Sequence, residues 1–329
     1  MNSHYILYTT VFSLTLFLTV VTESLIYPLL KRKAKQPIYD EGPSWHMSKS
    51  GTPTMGGIAF VLGIGLTLLL SSVMLVIQGS TKVGLSILIT LLFALGNSFV
   101  GIFDDLMKLY RNKNGGLTPM QKILLQLLLS ILFLMARRHF LSDKATLTLP
   151  FITLDFGLIY YPFAIIILLG IINCANLTDG IDGLASSVAM TVAAVFFITG
   201  TGLAVEIPFI SSAIIGGTLG FLFFNAHPSK IFMGDTGSLF LGALTVCLAF
   251  SAENMLLIIA IGIVYVIEGV SVILQVAVYK LTKKRLFKMA PLHHHLEKCG
   301  FSENRICISA VILTLFCSSI VLAIMGVVK

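Results

Sequence analysis

Met55-Gly-Gly-Ile-Ala-Phe-Val-Leu-Gly-Ile-Gly-Leu-Thr-Leu-Leu-Leu-Ser-Ser-Val-Met-Leu-Val-Ile-Gln78 carries no charged residue along its whole length. A helix across the hydrocarbon core of a bilayer needs about 20 such residues. Similar apolar runs recur along the chain, at roughly 5–30, 55–78, 83–103, 119–136, 159–176, 184–203, 207–224, 236–250, 255–279 and 304–328. In lipid each segment must satisfy its own backbone N–H and C=O groups, so every run is expected to be a helix. The fold class expected is an all-α polytopic membrane protein with about ten transmembrane helices, residues 1–329 forming a single integral membrane domain. The segment 146–158, with Pro150 and alternating Thr, Leu, Ile and Phe, is expected to form a short external β-hairpin.

Composition supports the same reading. The 329 residues are 56% hydrophobic and 11% charged, and the mean hydropathy is +0.95. A soluble chain averages about 45–50% apolar and about 25% charged. A soluble multidomain enzyme, a disordered chain and a disulfide scaffold are excluded. The cysteines, at 174, 247, 299, 307 and 317, are odd in number and lie mostly in apolar runs, so they read as packing residues. Residues 1–22 lack a basic leading segment and the first apolar run continues to Leu30, so no cleavable signal peptide is expected.

Of the 22 Lys and Arg residues, 17 fall in the connections after odd-numbered runs. Those five connections are therefore expected to be cytoplasmic loops and both termini extracytoplasmic. Arg137 and Arg138 depart from this rule. The net charge of +7 reflects the same bias together with attraction to anionic membrane lipid, and is no nucleic-acid signature.

Five of the 15 acidic residues, Asp104, Asp105, Asp179, Asp182 and Asp235, fall at the cytoplasmic ends of apolar runs. A lone helix-terminal Asp can simply reach for water; five on one face point to a site. In Gly101-Ile-Phe-Asp-Asp-Leu-Met-Lys108, neighbouring aspartates point about 100° apart on a helix, so two roles are expected rather than one shared chelate. Lys108 can offset Asp104 at i,i+4 or grip a phosphate. In Asn173-Cys-Ala-Asn-Leu-Thr-Asp-Gly-Ile-Asp-Gly-Leu-Ala185, the spacing of three aligns Asn176, Asp179 and Asp182 in one stripe if the segment is helical; a loop is the alternative. In Asn225-Ala-His-Pro-Ser-Lys-Ile-Phe-Met-Gly-Asp-Thr-Gly-Ser-Leu239, Thr236 and Ser238 are candidate caps, while Asn225 and Phe232 favour a site around Asp235. Lys49-Ser-Gly-Thr-Pro-Thr-Met-Gly-Gly57 opens the second span with small residues and hydroxyls, an anion seat or an ordinary Pro/Gly helix start. Carboxylates and amides are hard oxygen ligands suited to Mg²⁺ or Mn²⁺. Pro291-Leu-His-His-His-Leu-Glu-Lys-Cys-Gly300 pairs His295 with Cys299 at i,i+4. No second ligand pair completes a zinc set, and imidazoles acting near a diphosphate fit better. Glu268, inside the ninth run beside Gly269, reads as a kink or an interhelical hydrogen-bond partner.

Gly51–Gly57, Asp104–Lys108, Asn176–Ala185, Phe232–Ser238 and Pro291–His295 together resemble the signature blocks of the polyprenyl-phosphate N-acetylhexosamine-1-phosphate transferases. The His triplet is similar to that of the phospho-N-acetylmuramoyl-pentapeptide transferase branch, whose product is lipid I. Tyr39, Leu296 and Phe301 depart from that pattern. The resemblance implies ten spans in a bacterial inner (plasma) membrane, a homodimer, and transfer from UDP-N-acetylmuramoyl-pentapeptide to undecaprenyl phosphate with release of UMP. Uridine-containing nucleoside inhibitors are expected ligands. It implies catalytic roles for Asp104, Asp105, Asp235, His293, His294 and His295, with Asp235 and Asp105 as ligands of Mg²⁺. Substrate-binding roles are implied for Lys49, Thr54, Lys108, Lys122, Asn176, Asp179, Asp182, Asn225 and Phe232, Phe232 stacking on uracil. The rival readings are a sister enzyme moving N-acetylglucosamine-1-phosphate and a secondary transporter, whose charged sites belong near the bilayer midplane.

Overall fold

The computed structural model describes residues 2–33, 51–111, 116–148, 152–200 and 202–324. Twelve helices follow in order: α1 Asn2–Lys33, α2 Gly57–Ile77, α3 Thr81–Arg111, α4 Pro119–Ala136, α5 Tyr160–Thr178, α6 Leu184–Gly200, α7 Glu206–Asn225, α8 Gly234–Ser251, α9 Leu257–Ile261, α10 Ile263–Thr282, α11 Leu292–Lys298 and α12 Glu303–Ile324. Nine helices among the described residues are long and apolar enough to cross a membrane. The tenth expected span is α6, whose 17 residues reach only about 26 Å at the usual helical rise. The chain is a multi-pass membrane protein. Strands β1, Thr146–Thr148, and β2, Thr153–Asp155, pair antiparallel and form the expected hairpin.

The core gathers around α8, in which every residue from Thr236 to Ser251 is buried. Helices α3 and α5 flank it, and α1 packs on α2 and α7. The crossing of α3 and α8 is close because position 101 is glycine: a Cβ there would collide with the backbone carbonyl of Asp235. That approach sets Asp104 and Asp105 beside the start of α8. The peripheral helices turn large apolar residues outward, Leu124, Leu128 and Met135 on α4 and Ile308, Ile312 and Phe316 on α12. Water would disfavour such faces, and lipid accepts them.

Local chemistry explains the ends. Helix α4 begins with a capping box, Thr118 accepting from the Gln121 N–H while the Gln121 side chain accepts from the Thr118 N–H, and Pro119 fills the first helical position. The expected ninth span is divided at Gly262, whose φ of −92° and ψ of 32° lie off the helical values. Glu268 is therefore not the break; it lies within the second, longer piece. Arg137, which departs from the charge bias, is buried, ion-paired with Asp143 at 2.5 Å and donates to the Phe250 carbonyl at 3.2 Å. A charge held in this way needs no cytoplasmic surface. All five cysteines are free thiols, Cys247 buried and Cys299 exposed.

Candidate active site

Four helix ends meet at one end of the bundle: α3 and α5 finish there, α4 and α8 begin. Each contributes polar residues that an apolar helix carries only at its terminus. From α3 come Asp104, Asp105 and Lys108, from α4 Lys122, from α5 Asn176, and from α8 Asp235, Thr236 and Ser238.

Asp104 and Asp235 are joined by two ammonium groups. Lys108 Nζ lies 2.7 Å from Asp104 Oδ2 and 3.3 Å from Asp235 Oδ2. Lys122 Nζ lies 2.9 Å from Asp104 Oδ2 and 2.6 Å from Asp235 Oδ2. The Asp104 carboxylate is buried, and its other oxygen accepts from the Leu117 N–H at 2.7 Å. Asn176 Nδ2 donates to Asp235 Oδ1 at 3.1 Å and to Ser238 Oγ at 2.8 Å. A buried carboxylate is stable only when paired in this manner.

Asp105 has different partners. Its Oδ1 accepts from the Asp235 N–H at 3.2 Å, and its Oδ2 accepts from the Thr236 N–H at 2.9 Å and the Thr236 hydroxyl at 2.7 Å. It satisfies the free donors at the start of α8 from another helix. Neither Thr236 nor Ser238 caps α8 as expected: the Thr236 hydroxyl donates to Asp105, and Ser238 Oγ donates to the Gly234 carbonyl at 3.1 Å. Gly234, at φ +71°, permits the sharp turn into the helix, and a Cβ there would meet Asp105 Oδ2 at 2.6 Å and Thr54 Oγ1 at 3.1 Å. Thr54 and Asp105 thus both pack against Gly234.

Asp104 and Asp105 keep different partners, yet both come close to Asp235. Each offers an oxygen that lies within 4.8 Å of the other and of one on Asp235. The donor set is all hard carboxylate oxygen and fits a hard divalent cation. Three carboxylates face two ammonium groups, which leaves one negative charge to attract it.

The expected stripe of Asn176, Asp179 and Asp182 does not form, because α5 ends at Thr178 and Asp179 has left helical geometry at ψ 50°. Asn176 stays on the helix beside Asp235. Asp179 lies in the turn, and its carboxyl is held well above the usual range by burial and by the neighbouring Asp235, Asp105 and Asp182 carboxylates. Asp182 points elsewhere: Ser229 donates to it through its N–H at 3.1 Å and its hydroxyl at 2.9 Å, and His227 Nδ1 lies 2.9 Å away. Asp182, His227 and Glu303 form a second cluster of ligand-type side chains. Three contacts already hold the Asp182 carboxylate, and Glu303 accepts from the Asp182 N–H at 2.8 Å. Asn225 is buried and works as a clamp, accepting from the Gly183 N–H at 3.1 Å and donating to the Ile231 carbonyl at 2.9 Å.

Phe232 is half-buried, and its backbone is pinned to the start of α2: its N–H donates to the Pro53 carbonyl at 2.9 Å, and its carbonyl accepts from Gly56 at 2.9 Å. The Gly57 N–H likewise donates to the Met233 carbonyl at 3.0 Å. These two donors are spent within the protein, so the N–H groups of Gly56 and Gly57 are not available to an anion. Lys49 and Tyr39 lie outside the described residues.

The three histidines open α11 after Pro291. His293 is wholly buried and its Nδ1 lies 3.1 Å from Glu268 Oε2. His294 Nδ1 lies 2.7 Å from Glu297 Oε2. His295 Nδ1 accepts from the Lys288 N–H at 3.1 Å, and its Nε2 lies 3.7 Å from Cys299 Sγ. Glu268 is thus the interhelical hydrogen-bond partner it was read as, although nothing in the sequence tied it to the triplet 25 residues away. His227, Ser229 and Glu303 were not foreseen as partners of Asp182. His227 and Ser229 lie inside a quoted block, while Glu303 carries no local signal.

Carboxylates, amides and ammonium groups gathered at the ends of membrane helices mark the site of a membrane-embedded enzyme. The profile of glycosyl transferase family 4 matches residues 87–253. A signature of the phospho-N-acetylmuramoyl-pentapeptide-transferases matches residues 49–61. A phospho-N-acetylmuramoyl-pentapeptide-transferase of Halalkalibacterium halodurans is 42% identical over 299 residues, 90% of either chain. Proteins of the same name from Desulfitobacterium hafniense and Bacillus subtilis are 37% identical over 331 residues and 38% over 314, covering 96% and 94% of this chain and 95% and 94% of their own. The chain belongs to the phospho-N-acetylmuramoyl-pentapeptide-transferase family and is a transferase.

Proposed function

We propose that the protein transfers phospho-N-acetylmuramoyl-pentapeptide from UDP-N-acetylmuramoyl-pentapeptide to undecaprenyl phosphate, giving lipid I and UMP for peptidoglycan synthesis. The observation that carries this reading is the convergence of Asp104, Asp105 and Asp235 with Lys108 and Lys122 at one end of the helical bundle. In the reaction an oxygen of the lipid phosphate bonds to the β-phosphorus of the nucleotide sugar. The bond from that phosphorus to the bridging oxygen breaks, and UMP leaves with the electron pair. Such a reaction needs positioning and charge neutralisation more than covalent help from the protein.

Asp235 and Asp105 would hold Mg²⁺, with Mn²⁺ as a substitute. The ion would polarise the diphosphate and stabilise the charge on departing UMP. Lys108 and Lys122 turn from the carboxylates to the phosphate oxygens. Asp104 orients or deprotonates the lipid phosphate. Thr54, Asn176, Asp179 and Asn225 frame the ribose and diphosphate. Lys49, Asp182 and Phe232 hold uracil, with the ring of Phe232 on its face. His293, His294 and His295 meet the diphosphate and the sugar. The single membrane domain works with five cytoplasmic loops at the bacterial inner membrane, as a homodimer, and uridine-containing nucleoside inhibitors compete for the uracil site.

The test is UMP release by the purified protein in detergent, offered undecaprenyl phosphate with each of the two UDP-sugars. Release with the muramoyl-pentapeptide alone is expected. Release with UDP-N-acetylglucosamine alone would move the protein to the sister activity. No release with either, in the presence of Mg²⁺, would overturn the enzyme reading.

A further inference from the structure

The proposed reaction gives Glu268 no part. Building on the transferase reading, we propose that Glu268 is a positioning residue. It keeps the His293 proton on Nδ1, so that Nε2 meets the substrate as an unprotonated acceptor beside the Asp179–Gly180 turn.

Glu268 lies on α10, 5% exposed, and His293 on α11 is not exposed at all. A single oxygen, Glu268 Oε2, takes both the His293 backbone N–H at 3.3 Å and the ring Nδ1 at 3.1 Å. Two contacts from one atom to the backbone and the ring of the same residue fix where the ring sits and how it is turned. An ionised carboxylate only accepts, so Nδ1 carries the hydrogen and the lone pair of the neutral ring belongs to Nε2.

The far side of the ring completes the picture. Nε2 is buried and has no hydrogen-bond partner. It points at the α5–α6 turn, since any side chain at Gly180 would collide with that end of the imidazole. Asp179 precedes Gly180, and Asn176, one turn earlier, bonds Asp235. A buried acceptor with no donor is unfavourable in the resting protein, and a donor arriving with the substrate relieves it. The matching chemistry is a hydroxyl or an amide N–H of the transferred sugar. The other two rings are set differently: the Nδ1 partner of His294 is Glu297 of its own helix, and His295 Nδ1 is an acceptor. His293 is held by a carboxylate from another helix, Glu268 of α10.

The experiment compares wild type with Glu268→Ala and Glu268→Gln on two readouts. One is the ¹⁵N NMR signature of ring tautomers in histidine-labelled protein without substrate, His293 being assigned from its loss in His293→Gln. The other is the split between kcat and KM for the nucleotide sugar. Wild type is expected to show the Nδ1–H form, and Glu268→Ala a mixture of forms. Its kcat should fall about 10–100-fold, the scale on which outer partners of functional histidines act, with KM little changed. Glu268→Gln, which keeps an acceptor of the same shape but adds a donor, should show a mixture and a smaller loss of kcat. An unchanged Nδ1–H signal in Glu268→Ala, or a kcat within about twofold of wild type, overturns the proposal. If the alanine variant does not fold, the glutamine variant decides on the same criteria. The NMR arm is read on resting protein, so failure of the transferase reading, seen as no UMP release by wild type, is distinguishable from failure of the positioning role.

Discussion

Asp105, on α3, closes the N-terminus of α8, a helix to which it does not belong: its Oδ2 takes the Thr236 N–H at 2.9 Å and the Thr236 hydroxyl at 2.7 Å. The side chain that holds α8 against α3 is therefore also one of the three carboxylates that converge at this end of the bundle. Thr236→Val removes the hydroxyl at constant volume and breaks one charge-assisted bond. It is expected to lower stability by about 1.5–3 kcal/mol, read as a lower melting temperature in detergent, and to lower turnover because Asp105 loses one of its three donors. A melting curve superimposable on that of wild type would remove Asp105 from this structural role.

The carboxylate set leads to an expected requirement for a divalent ion. EDTA should abolish UMP release and Mg²⁺ should restore it. Asp235→Asn should remove most activity while the protein still folds, since its amide still accepts from Asn176 and loses only the attraction of the two lysines. Near-normal turnover of this variant would take Asp235 out of the metal site.

Phe232 presents a half-buried ring from a backbone pinned to residues 53–56. Phe232→Ala should weaken a uridine-containing inhibitor by about 1–3 kcal/mol, the range seen for aromatic side chains stacked on bases. Calorimetry returning an unchanged affinity would move the base to another part of the site.

The carboxyl of Asp179 is held well above the usual range by burial and by the carboxylates of Asp235, Asp105 and Asp182. The folded protein therefore binds its proton more tightly than the unfolded chain does. The stabilising contribution is complete below the ordinary Asp value of about 3.9 and is lost as pH rises through the folded-state value. In EDTA, Asp179→Asn should melt close to wild type in acid and progressively above it as the pH is raised. Parallel melting curves at every pH would show that Asp179 gains no proton on folding.

The spans were legible because lipid imposes a length and a composition that survive in a single sequence. The hairpin at Thr146–Asp155 was legible from alternation and a proline. Clustering of the acids was legible because charged residues on apolar helices stand out. The failures share a cause: contacts between segments distant in the chain leave no local spacing. Asn176, Asp179 and Asp182 keep the helical interval, yet α5 stops at Thr178 and sends Asp182 to His227 and Ser229. That Asp235 lies close to the adjacent Asp104 and Asp105 follows from the crossing at Gly101, which leaves no mark in the local sequence. Gly56 and Gly57 look like free donors until residues 232 and 233 are seen to use them. Sequence suggests an interhelical partner for Glu268 but does not say which.

Lys108 and Lys122 each span Asp104 and Asp235, so the resting site supplies its own counterions. A cation binding at Asp235 must displace ammonium groups, and a diphosphate gives those displaced groups somewhere to go. Each ligand thus lowers the cost of admitting the other. Coupling of this kind is reciprocal: whatever factor the metal adds to the affinity for the nucleotide, the nucleotide adds to the affinity for the metal. Either ligand alone should bind weakly, and metal titrated in the presence of a nucleotide diphosphate should bind more tightly than metal titrated without it.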